Sequence, residues 1–259
     1  MSVLAPLAVR YARWLGLPAG ATADITDEDP ESVRAMPLVL RMERDAVPPR
    51  SALLEAAASA AVAVCLDERS QPGGPWHTEV QPWVAGRIRK VARRARGAHW
   101  AAVTELPGST VERRGAQVRA LLPWRLADTP KTVTRLQVGG TDVPPDEAGT
   151  PPEGIPVLWL PPQPVMTVGK AAAQVGHAAM LLAALLTAEA RAAELDRWAA
   201  GGYPCAVRTA SARQWPALAP SEQPAQAWRQ RAVLAVRDAG FTEVPPGTVT
   251  VVAQWPATS

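Results

Sequence analysis

The chain has 259 residues, with 27 Lys+Arg against 24 Asp+Glu and 47% hydrophobic residues. That is enough apolar mass for one large core or two small ones, and far from the disordered class. The longest nearly uninterrupted apolar stretch, residues 178–186, is far short of the ~20 residues of a membrane span, and a net charge of +3 permits an anionic partner without demanding one.

Leu4, Leu7, Ala8, Tyr11 and Leu15 stand at helical spacing and predict a short amphipathic helix, followed by an acidic linker (Asp24, Asp27, Glu28, Asp29, Glu31). Arg10 and Arg13 after the short apolar start do not have the order of a secretory signal, so the cytoplasm is the expected compartment. Residues 37–40 read as a strand, 51–67 as an alanine-rich helix and about 80–96 as a second helix. β-like segments follow at 100–105, 116–122 and 132–138, with a turn at Pro107-Gly108. Five prolines between 144 and 156 mark a semi-rigid boundary. Beyond it the pattern begins again: a strand at 157–160, one long helix from about Gly169 to Ala199, and a strand at 206–209. A helix near 222–231 and strands at 233–236 and 248–253 complete the chain, the last two joined by an ordered loop.

The two halves can be laid on each other. A shift of 119 places Ser51 on Lys170 and Ala58 on His177; a shift of 132 places Gly108 on Gly240 and Gly115 on Gly247. The expected organisation is an N-terminal helix and acidic linker (1–36), a degenerate repeat (37–143), a Pro-rich linker (144–155) and a second unit (156–259). The expected fold is α/β: two tandem small domains, each a mixed, four-stranded-type sheet with helices packed on its faces.

Lysine and histidine are scarce. Lys90, Lys131 and Lys170 stand against 24 arginines, and the histidines are His77, His99 and His177. Lys170, Gln174 and His177 share one helical face at i, i+4 and i+7. Lys170 sits in the first helical turn, where the dipole disfavours a cation, which points to a paired anion from the protein or a ligand. Asp238 emerges from the C-terminal edge of a buried-looking strand, where ligand sites of open α/β folds lie. Thr242 follows four residues on, between Gly240 and Gly247. A structural Asx turn explains the Asp and Gly equally well. Six basic residues in ten (Arg87, Arg89, Lys90, Arg93, Arg94, Arg96), with no acid among them, form a positive face able to neutralise phosphates; a solvated helix face is the bland alternative. Cys65 and Cys205 are far apart, and His77 and His99 have no ligand-spaced partners, so neither a disulfide nor a metal site is expected.

The segment Met166-Thr167-Val168-Gly169-Lys170-Ala171-Ala172-Ala173-Gln174-Val175-Gly176-His177-Ala178-Ala179 resembles the helix-start motif of type II peptidyl-tRNA hydrolases. Residues 236–248, Val-Arg-Asp-Ala-Gly-Phe-Thr-Glu-Val-Pro-Pro-Gly-Thr, resemble that family's second signature, in the right order and at a fitting distance. The resemblance covers about 156–256. It implies a compact α/β domain with a four-stranded mixed sheet, and hydrolysis of the ester joining a peptide to the 3′ end of tRNA, without metal or organic cofactor. Lys170, His177, Asp238 and Thr242 fall on its functional positions. It further implies that Asp238 orients or deprotonates water, Thr242 positions the ester, and Lys170 holds a phosphate or the oxyanion. The chain departs from the pattern at Pro161-Pro162-Gln163 (usually an Arg and an Asp), at Val168 (often a second lysine) and at Glu243 (usually Gln). Because the family commonly works as a homodimer, the two halves are expected to form an intramolecular pseudo-dimer, with the arginine segment supplying tRNA contacts. A catalytically impaired RNA- or ribosome-associated binding protein on the same fold is the alternative.

Overall fold

Two β-sheets with one strand order frame the molecule. The computed structural model describes residues 2–18, 20–21, 29–140, 142–220 and 222–256. Asp24, Asp27 and Glu28 of the predicted acidic linker lie outside them. The N-terminal elements are α1 (Ala5–Gly16), β1 (Arg34–Arg41), α2 (Arg50–Leu66), α3 (His77–Ala85), β2 (Lys90–Ala95), α4 (Gly97–Thr104), β3 (Gly108–Arg113), β4 (Ala116–Leu121), β5 (Trp124–Arg125) and α5 (Lys131–Thr134). After the proline-rich boundary come β6 (Val157–Leu160), α6 (Val168–Ala188), α7 (Ala192–Ala200), β7 (Ala206–Thr209), α8 (Trp215–Leu218), α9 (Pro224–Arg231), β8 (Val233–Arg237) and β9 (Val249–Gln254).

The first sheet runs β2-β1-β4-β3, with β5 added to β1; the second runs β7-β6-β9-β8. Directions match as well. β1–β2 and β6–β7 are parallel, whereas β1–β4, β3–β4, β6–β9 and β8–β9 are antiparallel. α2 and α6 pack against each other. Each lies on its own sheet and also reaches the edge strand of the other, α6 to β2 and α2 to β7. One core therefore joins Leu38, Leu40 and Val118 of the first sheet to Leu158, Leu234 and Val251 of the second. The outer faces are covered separately. Trp100 and Val103 of α4 and Val133 of α5 pack on Val39 and Leu121, while Ala227 of α9, with Trp215 and Leu218 of α8, packs on Val233 and Val252. α6 is long and apolar enough by composition to cross a membrane, unlike the short stretch read from the sequence, but most of it is buried in this core.

Four sequence expectations change. Residues 90–95 form edge strand β2, not the end of a helix: α3 stops at Gly86, and the following residues pair in parallel with β1, Met36 opposite Lys90 through Arg41 opposite Ala95. Residues 100–105 lie mostly in helix α4, whose Trp100 and Val103 are one turn apart and face the sheet. Of 132–138, only Gln137 bridges, to Arg94, and α5 takes the start. The single helix of 169–199 breaks at Ala190, which adopts φ +55°, a conformation costly for any residue with a Cβ. The break lets α7 turn back so that Trp198 packs edge-on against Tyr203 and Trp255.

The proposed overlay of the halves also shifts. Core-facing Leu38 and Leu40 correspond to Leu158 and Leu160, a shift of 120; the shift of 119 would put each strand side chain on the wrong face. The β3–β4 connection is the two-residue turn Arg114-Gly115, so the loop between β8 and β9, residues 238–248, has no counterpart at residues 106–115.

Candidate active site

The start of α6 is clasped by the loop between β8 and β9. Thr167 caps the helix, its hydroxyl accepting from the Lys170 N–H at 3.2 Å. Glu243 then accepts from the Thr167 N–H (3.0 Å) and hydroxyl (2.7 Å), so the Glu that stands where Gln is usual ties loop to helix. The loop closes on Asp238. Its N–H donates to the Thr248 carbonyl at 2.9 Å, its carbonyl accepts from Gly247 at 2.7 Å, and its Oδ1 accepts from the Gly240 N–H at 2.8 Å. Gly240 has φ +81°, and a Cβ there would lie 2.5 Å from the Pro246 ring, so no other residue fits.

The Asx turn is thus real, and the same carboxylate also works outward. Asp238 Oδ2 accepts from Lys170 Nζ (2.7 Å) and from Gln174 Nε2 (2.7 Å). Lys170 Nζ donates further to Thr242 Oγ1 at 3.0 Å. Gln174 is held in turn by Thr250, whose hydroxyl donates to Gln174 Oε1 at 2.5 Å. Lys170, Asp238 and Thr242, singled out in the sequence, therefore form one cluster. Gln174 and Thr250 complete it. Gln174 was visible on the face shared by Lys170 and His177, but nothing local to β9 marks Thr250. The side chains of Lys170 and Asp238 are each only 8% exposed, so two opposite charges compensate each other where water is scarce.

This cluster lines a cavity of about 550 Å³ walled by both halves of the chain. Tyr11 and Leu15 of α1 form part of the wall, and the Tyr11 hydroxyl accepts from the Ala235 N–H of edge strand β8 at 3.0 Å. His177 also lines it, about two helical turns beyond Lys170, but its hydrogen-bond partner is Lys90 of β2, with Nδ1 3.0 Å from Nζ. Burial, then the Lys90 and Lys170 ammoniums, hold His177 well below its ordinary pKa. Burial lowers Lys90 to about 7.

The six basic residues expected to touch tRNA are not on one helix face: Lys90, Arg93 and Arg94 lie in β2, Arg87 and Arg89 precede it, and Arg96 follows it. Arg87, Arg89 and Lys90 line the cavity, with the Arg89 guanidinium 5.2 Å from the Phe241 ring centroid. Arg93 donates to the Leu136 carbonyl (2.8 Å), and Arg94 to Gln137 and to the Gly140 carbonyl (2.8 Å), so both are tied to a neighbouring loop. Arg96 is exposed. Among the described residues no group of three His, Cys, Asp or Glu side chains could hold a metal ion.

The corresponding position at the start of α2 has different chemistry. Counted at the shift of 119 proposed from the sequence, Ser51 and Glu55 fall opposite Lys170 and Gln174. Arg114 of the β3–β4 turn donates to Ser51 Oγ (2.7 Å) and Glu55 (2.8 Å), and Arg208 donates to Glu55 (2.9 Å). Cation and anion have exchanged elements: the helix carries the acid and the turn the base. The helix start is occupied by Asp146 of the proline-rich segment, which accepts from the Ser51 N–H (2.7 Å) and hydroxyl (2.5 Å).

Residues 163–259 match the family model described as "Peptidyl-tRNA hydrolase PTH2". No curated protein and no solved structure matches the chain at a comparable level. The matched span contains α6, the loop between β8 and β9 and the whole Lys170–Asp238–Thr242 cluster, and this C-terminal part of the chain is a type II peptidyl-tRNA hydrolase family domain.

Proposed function

We propose that the chain hydrolyses the ester bond of peptidyl-tRNA, releasing peptide and free tRNA, at the Lys170–Asp238–Thr242 cluster. The observation that carries this reading is that the two motif segments meet in that cluster at the wall of a cavity large enough for an ester and its flanking groups. Lys170 has three N–H donors. One goes to Asp238 and one to Thr242, and the third is directed to a phosphate or to the developing oxyanion of the ester carbonyl. Thr242 accepts from Lys170, so its own hydroxyl proton is a donor to substrate. Asp238 orients water or takes its proton. Water oxygen bonds to the carbonyl carbon, the bond from that carbon to the 3′ oxygen breaks, and the 3′ hydroxyl is protonated. Arg87 and Arg89 at the cavity are the cations best placed for tRNA phosphates, and Arg96 is an outlying one. A cytoplasmic setting fits this substrate.

The N-terminal half is, on this reading, a diverged copy that does no chemistry and stands where a second subunit would. The shared strand order supports a duplication, and the inverted Ser51–Glu55–Arg114 arrangement together with the two-residue β3–β4 turn supports its inactivity. A tRNA- or ribosome-binding protein without turnover is favoured by one feature: Pro161-Pro162-Gln163 at the end of β6 in place of charged residues. Hydrolysis of a peptidyl-tRNA against an aminoacyl-tRNA distinguishes the two. The expected result is selective hydrolysis by the wild-type chain, with Lys170→Ala and Asp238→Asn reduced about 100-fold or more. Wild-type rates at background would leave only the binding protein.

A further inference from the structure

Lys90 is a half-buried lysine on the edge strand of the N-terminal sheet, and no step above uses it. It crosses to α6 of the other half, where its stem lies against Gly176. A Cβ at that position would come within 3.1 Å of the Lys90 Cδ and Cε, so the helix is open at the one turn the lysine passes over. The end of the side chain is fully partnered. Nζ lies 3.0 Å from His177 Nδ1, 3.3 Å from the Ile88 carbonyl and 4.9 Å from the Trp83 ring centroid. Ile88 itself adopts φ +47°, a rare conformation for a β-branched residue and the kind of strain that collects at functional sites. Its carbonyl is the second acceptor of this lysine.

Below about pH 7 Lys90 is an ammonium, which donates and cannot accept. At 3.0 Å, Nζ–H therefore points at the lone pair of Nδ1, and the single proton of the neutral ring is on Nε2. We infer that Lys90, contributed by the N-terminal half, is a positioning residue of the cavity in the C-terminal half: it fixes the His177 ring as the tautomer with Nδ1 accepting and Nε2–H donating. His177 then serves the cavity as a hydrogen-bond donor to an oxygen of the bound substrate and not as a base. The catalytic consequence rests on the hydrolase reading; the tautomer does not.

The test uses the full chain labelled with ¹⁵N-histidine, whose three histidines are assigned by loss of one signal in His177→Asn. Just below pH 7, where Lys90 is charged and His177 is neutral, the wild type is expected to show His177 Nδ1 as the unprotonated, pyridine-type nitrogen and Nε2 as the protonated one. Lys90→Gln, which keeps an N–H donor, retains this, and Lys90→Met loses it. A protonated Nδ1 in the wild type, or an unchanged His177 spectrum in Lys90→Met, would overturn the inference. Should Lys90→Met fail to fold, a scalar coupling across the hydrogen bond from Lys90 Nζ to His177 Nδ1 decides, and its absence in the wild type is equally fatal. In the hydrolysis assay, Lys90→Met is expected to lower kcat about tenfold, with KM changed less than about twofold, and Lys90→Gln to restore most of the loss. If the wild type hydrolyses nothing, the hydrolase reading fails while the spectra still judge the tautomer.

Discussion

Lys90 and His177 set the strongest pH dependence at the scale of single residues. Burial lowers Lys90 from an ordinary value of 10.5 to about 7, so between those values the unfolded chain binds the proton and the folded chain does not. Stability therefore rises with pH through that window. Buried Cys65 and Cys205 act the other way: burial pushes both thiols up to about 12 from 9, and the stability they contribute is lost as pH rises above about 9. His177, held well below 6.5, costs stability as the unfolded imidazole takes up protons in acid. The urea midpoint of the wild type is expected to climb from pH 7 to pH 9 and then turn over. In Lys90→Met the climb flattens, so the variant's advantage is largest at the acid end. Parallel curves for the two proteins would mean that folding does not lower the Lys90 pKa. Lys170, Asp238 and Thr242 were legible because helical spacing and a glycine-framed loop are local signals. Lys90 was visible only as one basic residue in a run, since its partner is 87 residues away.

At the scale of elements, helix starts carry much of the organisation. α6 caps itself with Thr167, whereas α2 begins after Pro48-Pro49 and has no side-chain cap of its own. The Ser51 N–H of its first turn is served by Asp146 instead, from a segment that reads as a linker. Asp146→Ala is expected to lower stability by about 1 kcal/mol, seen as a reduced urea midpoint with an unchanged m-value. No change would show that the segment is not docked there. β2 illustrates what periodicity misses. Val84, Ile88, Val91 and Ala95 fit a helical stripe, but pairing with β1 recruits 90–95 as an edge strand. Arginine side chains suit such an edge, because charge discourages further strand pairing. The break at Ala190 has the same origin: alanine favours continuing the helix, and the Trp198–Trp255 packing outweighs that preference.

At the scale of the whole molecule, the halves are not beads on a string. α2 is buried along almost its full length, and its contacts with α6 and with β7 tie the sheets into one core. Residues 156–259 produced alone would expose the α6 surface that α2 covers, and are expected to self-associate, while the full chain sediments at the mass of one chain. A monodisperse, monomeric fragment of full stability would argue against a pseudo-dimer built on these helices. The four strands of the C-terminal sheet, the alanine-rich central helices and the candidates Lys170, Asp238 and Thr242 were determined by the sequence itself, because alternation, helical spacing and loop glycines act over a few residues. The tertiary structure alone decided that 90–95 is a strand, that Arg93 and Arg94 turn away from the cavity, and that Lys90 meets His177. Each of these depends on pairing or packing between segments far apart in the chain, where the energy comes from burial and hydrogen bonding that no local window contains.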